Sequence, residues 1–290
     1  MKIQLLAIDM DGTTLNSQNT LSPTNQKALQ KAVNAGILVV PATGRQFSGL
    51  PPELEKLSGI RYYLCSNGAV VYDRQEQKIL HSDLMETEQA LRAYREISLC
   101  KSASSDIYID GKAYTNSIRY AHPIDYGVDA RHLDTFLASR SPLENLPDFI
   151  EHNQLRPEKI FSIFKDTEEW QSCWNTLCTW PEIAVTNSIS NAIEVTNVTA
   201  TKGSGLQALA KILQIPQEAV MAVGDGLNDV TMLDWAGVSV AMGNAENDVR
   251  QHAEFITDTC DNDGLAKATL RFVSAFHKPC GIPNFFVCRY

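Results

Sequence analysis

The sequence predicts an α/β fold, a parallel sheet interrupted by an α+β insertion. Three observations carry that reading. Successive apolar runs at 3–8, 37–40 and 62–65 each stop at a cluster of small or polar residues. A helical stripe closed by a glycine separates the first two runs, as a strand–helix–strand unit requires. The same rhythm resumes at Lys202-Gly203, beyond a stretch that mixes hairpin and helix patterns.

Residues 3–8 are apolar except for Gln4 and run into Asp9, Asp11 and Gly12. A buried strand of this kind delivers carboxylates to its C-terminal end, where open α/β sheets bind ligands. The competing reading is an Asx-turn whose aspartates only cap backbone N–H groups. Ser22-Pro23 reads as an N-cap followed by proline at N1. Ala28/Leu29 and Ala32/Val33 then form one apolar stripe, and Gly36 ends the helix. The second strand finishes in Pro41-Ala42-Thr43-Gly44-Arg45, a helix is expected over 50–57, and the third strand stops at Ser66-Asn67-Gly68.

The pattern changes near residue 80. Ala90, Leu91, Tyr94 and Ile97 mark a helix, and residues 107–115 alternate around Asp110-Gly111 as a hairpin does. A helix near 130–138, a proline-bearing segment over 141–157, a strand at 159–164 and a helix at 168–179 follow. Residues 184–195 read as two strands turning at 188–191. The expected organisation is therefore a core formed by 1–81 and 196–290, with 82–195 inserted as an α+β unit. Within the returning core, Leu206, Leu209, Ile212 and Leu213 stripe a helix. A strand at 220–223 ends in Gly-Asp-Gly-Leu-Asn-Asp (224–229), and a helix carries Met232, Leu233 and Ala236. Short strands at 238–241 and 255–256 precede a helix over 265–272, and the tail from His277 holds aromatics without periodicity.

Composition narrows the partners. With 25 Lys and Arg against 34 Asp and Glu, the net charge of −9 and the lack of a basic cluster argue against a nucleic-acid backbone as ligand. Small phosphorylated substrates stay open, because a few N–H groups, one lysine and a metal suffice to bind a phosphate. The seven cysteines follow neither a disulfide framework nor a zinc spacing. No run of eighteen apolar residues or leader-like N-terminus is visible, so a cytoplasmic protein without a membrane partner is expected. Either a monomer or a homodimer is compatible with this.

The chemistry sits in the strand-end clusters. Carboxylates at Asp9, Asp11, Asp225 and Asp229 would repel one another unless a cation joined them. Oxygen ligands suit Mg²⁺, which binds through one or two carboxylates plus phosphate oxygens. Lys202 at a helix start opposes the helix dipole, which makes a purely superficial role uncomfortable. Thr43-Gly44 offers a hydroxyl and a close backbone approach, both suited to a phosphate. An aspartate nucleophile with a second acid two residues on would explain the Asp9/Asp11 pair.

These segments, in this order, resemble the haloacid dehalogenase superfamily, in its Cof-type phosphatase branch. Asp9–Thr13 (Asp-Met-Asp-Gly-Thr) is similar to the first family motif, Ala42–Arg45 to the second, Thr201–Gly203 to the third and Gly224–Asp229 to the fourth. Ser66–Ala69 resembles a loop of the same branch. The resemblance implies a three-layer Rossmann-like core with an inserted α+β cap, and Mg²⁺ as cofactor. It implies Asp9 as nucleophile and metal ligand, and Asp11 as general acid/base with its backbone carbonyl on the metal. Thr43, Gly44, Arg45, Asn67, Lys202 and Asn228 would contact phosphate or substrate, and Asp225 and Asp229 the metal. The expected function is a phosphatase for a small phosphorylated metabolite: a sugar phosphate first, pyridoxal phosphate or flavin mononucleotide next. A phosphomutase and a non-catalytic metabolite-binding regulator are the alternatives.

Overall fold

The computed structural model describes residues 2–130, 133–187 and 189–274; the tail from His277 lies outside them. The chain opens with β1 (Leu5–Asp9), α1 (Pro23–Asn34), β2 (Leu38–Ala42) and β3 (Tyr62–Cys65). Ser22 caps α1 through its hydroxyl, which accepts from the Asn25 N–H, with Pro23 at N1. Gly36 follows at φ +82°, the left-handed conformation that turns the chain into β2. The helix expected over 50–57 is instead a pair of 3₁₀ turns, Phe47–Gly49 and Pro52–Lys56. Leu50 and Pro51 each precede a proline and are held extended, at ψ 141° and 140°, so no helix runs through them. An antiparallel ribbon that the sequence reading omitted, β4 (Val70–Asp73) and β5 (Lys78–Ser82), completes this edge.

The middle of the chain forms α2 (Thr87–Ser98), β6 (Ala103–Ile109), β7 (Lys112–Asn116), α3 (Ser117–Ala121), α4 (Leu133–Ser139), β8 (Arg140–Leu143), α5 (Leu146–His152), β9 (Lys159–Phe164), α6 (Thr167–Leu177), β10 (Ile183–Thr186) and β11 (Ala192–Asn197). The proline-bearing segment thus holds a strand and a helix, with Pro147 in the first turn of α5, where its missing N–H costs nothing. The chain then returns as α7 (Lys202–Ile212), β12 (Val220–Gly224), α8 (Val230–Trp235), β13 (Val238–Ala241), α9 (Asn247–Arg250), β14 (Phe255–Ile256) and α10 (Gly264–Ser274).

Two sheets result. The larger has the order β14-β13-β12-β1-β2-β3-β4-β5, parallel from β14 through β3. Alternation along β1 makes it three-layered: Leu6 and Ile8 pack with Leu29 of α1 and Leu265 of α10, while Leu5 and Ala7 pack with Leu206 of α7 and Met232 of α8. β1 and β12 are neighbours, in register from Leu5 opposite Val220 to Ile8 opposite Val223, so their C-terminal loops meet. The smaller sheet has the order β10-β11-β9-β6-β7-β8. Ile107, Ile160, Ile193 and Val195 bury one of its faces under α2, α5 and α6. Period two sends Asp106, Tyr108, Lys159, Phe161 and Glu194 to the opposite face.

Candidate active site

The site is assembled where β1 and β12 end. Asp9 is the last residue of β1, and Asp225 and Asp229 lie on the loop after β12. One carboxylate oxygen from each falls within 4.8 Å of the others, which makes Asp9, Asp225 and Asp229 a group able to hold a metal ion. Lys202, at the first turn of α7, is completely buried among them; its Nζ donates to Asp9 Oδ1 at 2.5 Å and to Asp229 Oδ1 at 2.6 Å. That contact explains a lysine placed against the helix dipole.

Backbone geometry permits the close approach. Gly12 has φ +84°, and a Cβ there would stand 2.3 Å from Asp225 Oδ2. Gly224 is equally tight: a Cβ would meet Asp229 Cγ at 2.5 Å. Asp229 Oδ2 accepts from the N–H groups of Asp225 and Gly226, both at 2.9 Å, so this side chain shapes the loop that carries Asp225. Thr13 donates its hydroxyl to Asp225 Oδ1 at 2.8 Å, and Asn244 Nδ2 donates to Asp225 Oδ2 at 3.0 Å and to the Gly12 carbonyl at 2.9 Å. The sequence reading passed over Thr13 and Asn244. Thr13 had a visible signal in its place beside the acid pair; Asn244 had none, since a turn after β13 is an ordinary place for asparagine.

The electrostatics favour a cation. Burial, and then the charge of Asp229, push the Asp9 carboxyl well above the ordinary aspartate range, against the opposing pull of Lys202. Burial raises Asp225 to about 6 despite the Thr13 hydrogen bond, with Asp229 adding repulsion. Burial works against charge on Lys202, yet Asp229 and Asp9 together raise its pKa above the lysine value. Three carboxylates thus face one ammonium, and a divalent cation with hard oxygen ligands matches that donor set.

The other expected residues separate into two groups. Asp11 is exposed, and its carboxylate lies outside the three-carboxylate group because Arg45 draws it away, through Nη2 at 2.7 Å and Nε at 3.3 Å. Arg45 therefore makes an ion pair within the core rather than one to the inserted segment. Thr43 is buried at the end of β2, and its hydroxyl accepts from the Arg45 N–H at 3.1 Å. Asn67, at φ +57°, donates Nδ2 to Glu194 at 2.9 Å and accepts at Oδ1 from Asn228 Nδ2 at 3.2 Å.

The inserted segment meets this edge through buried charges that the sequence left unassigned or unnoticed. Lys159 Nζ donates to the Gly44 carbonyl at 2.5 Å and to Glu194 Oε2 at 2.9 Å. Glu158 accepts from the Ser66 hydroxyl and from the Gly111 N–H, each at 2.6 Å. The available signal was charge inside apolar strands: Glu194 within Ala192–Asn197, and Lys159 at the head of Lys159–Phe164. Between the two sheets lies a cavity of about 610 Å³ bordered by Asp9, Asp11, Asp225, Lys159, Phe161 and Arg119. Among the described residues no helix is long and apolar enough to cross a membrane.

The chain is similar to several known proteins. The 5-amino-6-(5-phospho-D-ribitylamino)uracil phosphatase YcsE of Bacillus subtilis is 30% identical, over 93% of this chain and 96% of its own length. Phosphatase YwpJ of the same organism is 31% identical over 91% of this chain and 98% of its own. A haloacid dehalogenase-like hydrolase from Bacteroides thetaiotaomicron superposes with a TM-score of 0.78 at 26% identity, covering 93% of this chain and 99% of that one. A sequence profile described as haloacid dehalogenase-like hydrolase matches residues 6–269, and the chain belongs to that family.

Proposed function

We propose that the protein is a Mg²⁺-dependent phosphatase that hydrolyses a small phosphorylated metabolite through an aspartyl-phosphate. The observation that carries this reading is the buried lysine between Asp9 and Asp229, beside Asp225, at the ends of two neighbouring parallel strands. Both similar Bacillus proteins are phosphatases by name.

Asp9 attacks phosphorus, forming an acyl–phosphate bond as the bond to the leaving alkoxide breaks. Asp11 gives a proton to that departing oxygen, then takes one from the water that cleaves the intermediate. For this, Asp11 exchanges its partnership with Arg45 for the substrate oxygen. Lys202, the Thr43 hydroxyl and loop amides offset charge on the transferring phosphoryl oxygens. Asp9 and Asp225, with the Asp11 backbone carbonyl, would hold the Mg²⁺, which when bound supplies further positive charge against those oxygens. Asp229 would complete the metal group, and its bonds to the Asp225 and Gly226 N–H groups also position the loop that carries Asp225. Residues 82–195 form a cap over the core made of 1–81 and 196–290, and cap closure excludes bulk water. A sugar phosphate is the favoured substrate class.

The test is Asp9→Asn, assayed by phosphate release from p-nitrophenyl phosphate with and without Mg²⁺. Turnover should fall to background while the circular dichroism spectrum and melting curve stay native-like. Wild-type turnover in that variant would overturn the mechanism. Recovery of an isomerised sugar phosphate in place of free phosphate would select a mutase. Tight binding without phosphate release from any metabolite would select a regulatory module.

A further inference from the structure

The wall of the cavity contributed by the smaller sheet carries a charge arrangement that phosphoryl transfer does not require. Asp106 of β6 is fully buried and accepts from two arginines: Arg119 Nη1 reaches Oδ1 at 2.5 Å, and Arg140 Nε reaches Oδ2 at 3.2 Å. Arg119 on α3 is itself buried, with its side chain 4% exposed, and its Nε–H has no hydrogen-bond partner. Both guanidinium groups rest against one ring, with the carbons of Arg119 and Arg140 at 5.3 and 5.2 Å from the centroid of Phe136. Arg119, Arg140 and Phe136 all border the cavity that contains Asp9 and Asp225.

Two cations on one carboxylate leave a surplus positive charge in a desolvated place, and an orphaned buried N–H costs free energy until something accepts from it. Lys159, the third cation on this wall, is already matched by Glu194. Asp129 also borders the cavity but is exposed and has an interaction of its own. A planar guanidinium fork beside an aromatic ring is suited to a carboxylate or a phosphate.

We infer that Arg119 and Arg140 bind a second anionic group of the substrate, a carboxylate or a second phosphate, distal to the phosphoryl group that is transferred. This deepens the phosphatase reading above and rests on it. The cavity volume of about 610 Å³ lies in the range of small-molecule sites, so the two ends can be served by one ligand. The neighbouring Asp106 fixes both side chains, which lowers the ordering cost of binding.

The experiment uses the full chain with Mg²⁺ and matched substrate pairs: glucose 6-phosphate against 6-phosphogluconate for the carboxylate, and fructose 6-phosphate against fructose 1,6-bisphosphate for the second phosphate. Phosphate release gives kcat/KM for each member, with p-nitrophenyl phosphate as a general reporter of phosphatase activity. The member with an anionic group at both ends should be preferred by about tenfold or more in at least one pair, through KM, as a charge-assisted hydrogen bond implies. Which pair responds distinguishes carboxylate from phosphate. In Arg140→Gln and Arg119→Lys that ratio should fall toward one; because it is a ratio within one preparation, a loss of folded enzyme cancels. Equal rates within both wild-type pairs overturn the inference while leaving the phosphatase intact. A preference that survives both variants overturns the assignment to these arginines, and no phosphate from any compound overturns the phosphatase reading with it.

Discussion

Replacing Lys202 with methionine keeps the length and volume of the side chain and removes only its charge. Lys202 is fully buried, so solvent screening gives no discount. Removing one partner from a buried ion pair costs about 3–5 kcal/mol. Asp9 and Asp229 share this lysine, so their losses belong to one cluster and do not add. An unfolding entropy of about 2.1 cal/mol/K per residue, over 290 residues, converts that cost to a Tm decrease of about 5–8 °C. The sign of its pH dependence follows from the three groups. Lys202 has a raised pKa in the fold, so its contribution is fully present below the unfolded value of 10.5 and constant from pH 5 to 8. Asp225, raised to about 6 from 3.8, is unfavourable as its charge develops above about pH 6 and indifferent below 3.8. Without the opposing charge of Lys202, both Asp9 and Asp225 move higher still. The deficit of K202M should therefore be largest at pH 8 and shrink toward pH 5, in calorimetry of chelator-treated protein. A Tm within about 2 °C of wild type at pH 8, or a deficit that widens on acidification, would refute the reasoning.

Three further perturbations probe neighbouring contacts. Thr13→Ala removes the 2.8 Å hydrogen bond that holds the Asp225 carboxyl down, so Mg²⁺ affinity by calorimetric titration should weaken about tenfold; an unchanged affinity would remove Thr13 from the site. Gly12→Ala places a Cβ 2.3 Å from Asp225 Oδ2 at φ +84° and should destabilise by about 1–3 kcal/mol. Its Mg²⁺-dependent turnover should also fall, and wild-type values on both measures would contradict the packing. Burial pushes the Glu158 carboxyl up against the downward pull of Ser66 and Gly111, so ionising it is unfavourable to the fold as pH rises through its folded pKa and neutral in effect below 4.5. Glu158→Gln should melt higher than wild type at pH 8 and no higher near pH 4.5, and the reverse order would show that the carboxylate is needed charged.

The larger sheet was legible because its strands are buried on both faces and read as unbroken apolar runs with a polar stop at one end. Asp9 and Asp225 were legible for the same reason, since each follows or ends such a run, and Lys202 was legible by its place against the helix dipole. Residues 50–57 misled, because Leu50, Leu54 and Leu57 keep helical spacing while Pro51 and Pro52 hold the residue before each of them extended. β5 was missed since the exposed edge strand 78–82 carries little apolar signal, whereas Val70 and Val71 of β4 did carry one. The partners of Asp11 and Asn67 were beyond reach: Arg45 is 34 positions from Asp11, and Glu194 is 127 from Asn67. No local pattern encodes such pairings. The alternation in Ser105-Asp106-Ile107-Tyr108 and in Ile193-Glu194-Val195 did announce a polar face, though not what it faces.

The two ends of the cavity differ in charge, and that difference bears on both the cation and the substrate. At the strand ends three carboxylates meet one lysine, so a phosphate dianion would approach a net negative site unless a divalent cation is bound first. On the opposite wall the more buried groups Arg119, Arg140 and Lys159 face Asp106 and Glu194, a surplus of one positive charge among them, with Asp129 exposed at the border. Without the cation, a substrate with two anionic ends would find only the arginine end attractive and would bind without its phosphoryl group reaching Asp9. Added Mg²⁺ should therefore raise turnover more steeply than it raises substrate affinity. Parallel increases in both would mean that the arginine wall contributes no independent attraction.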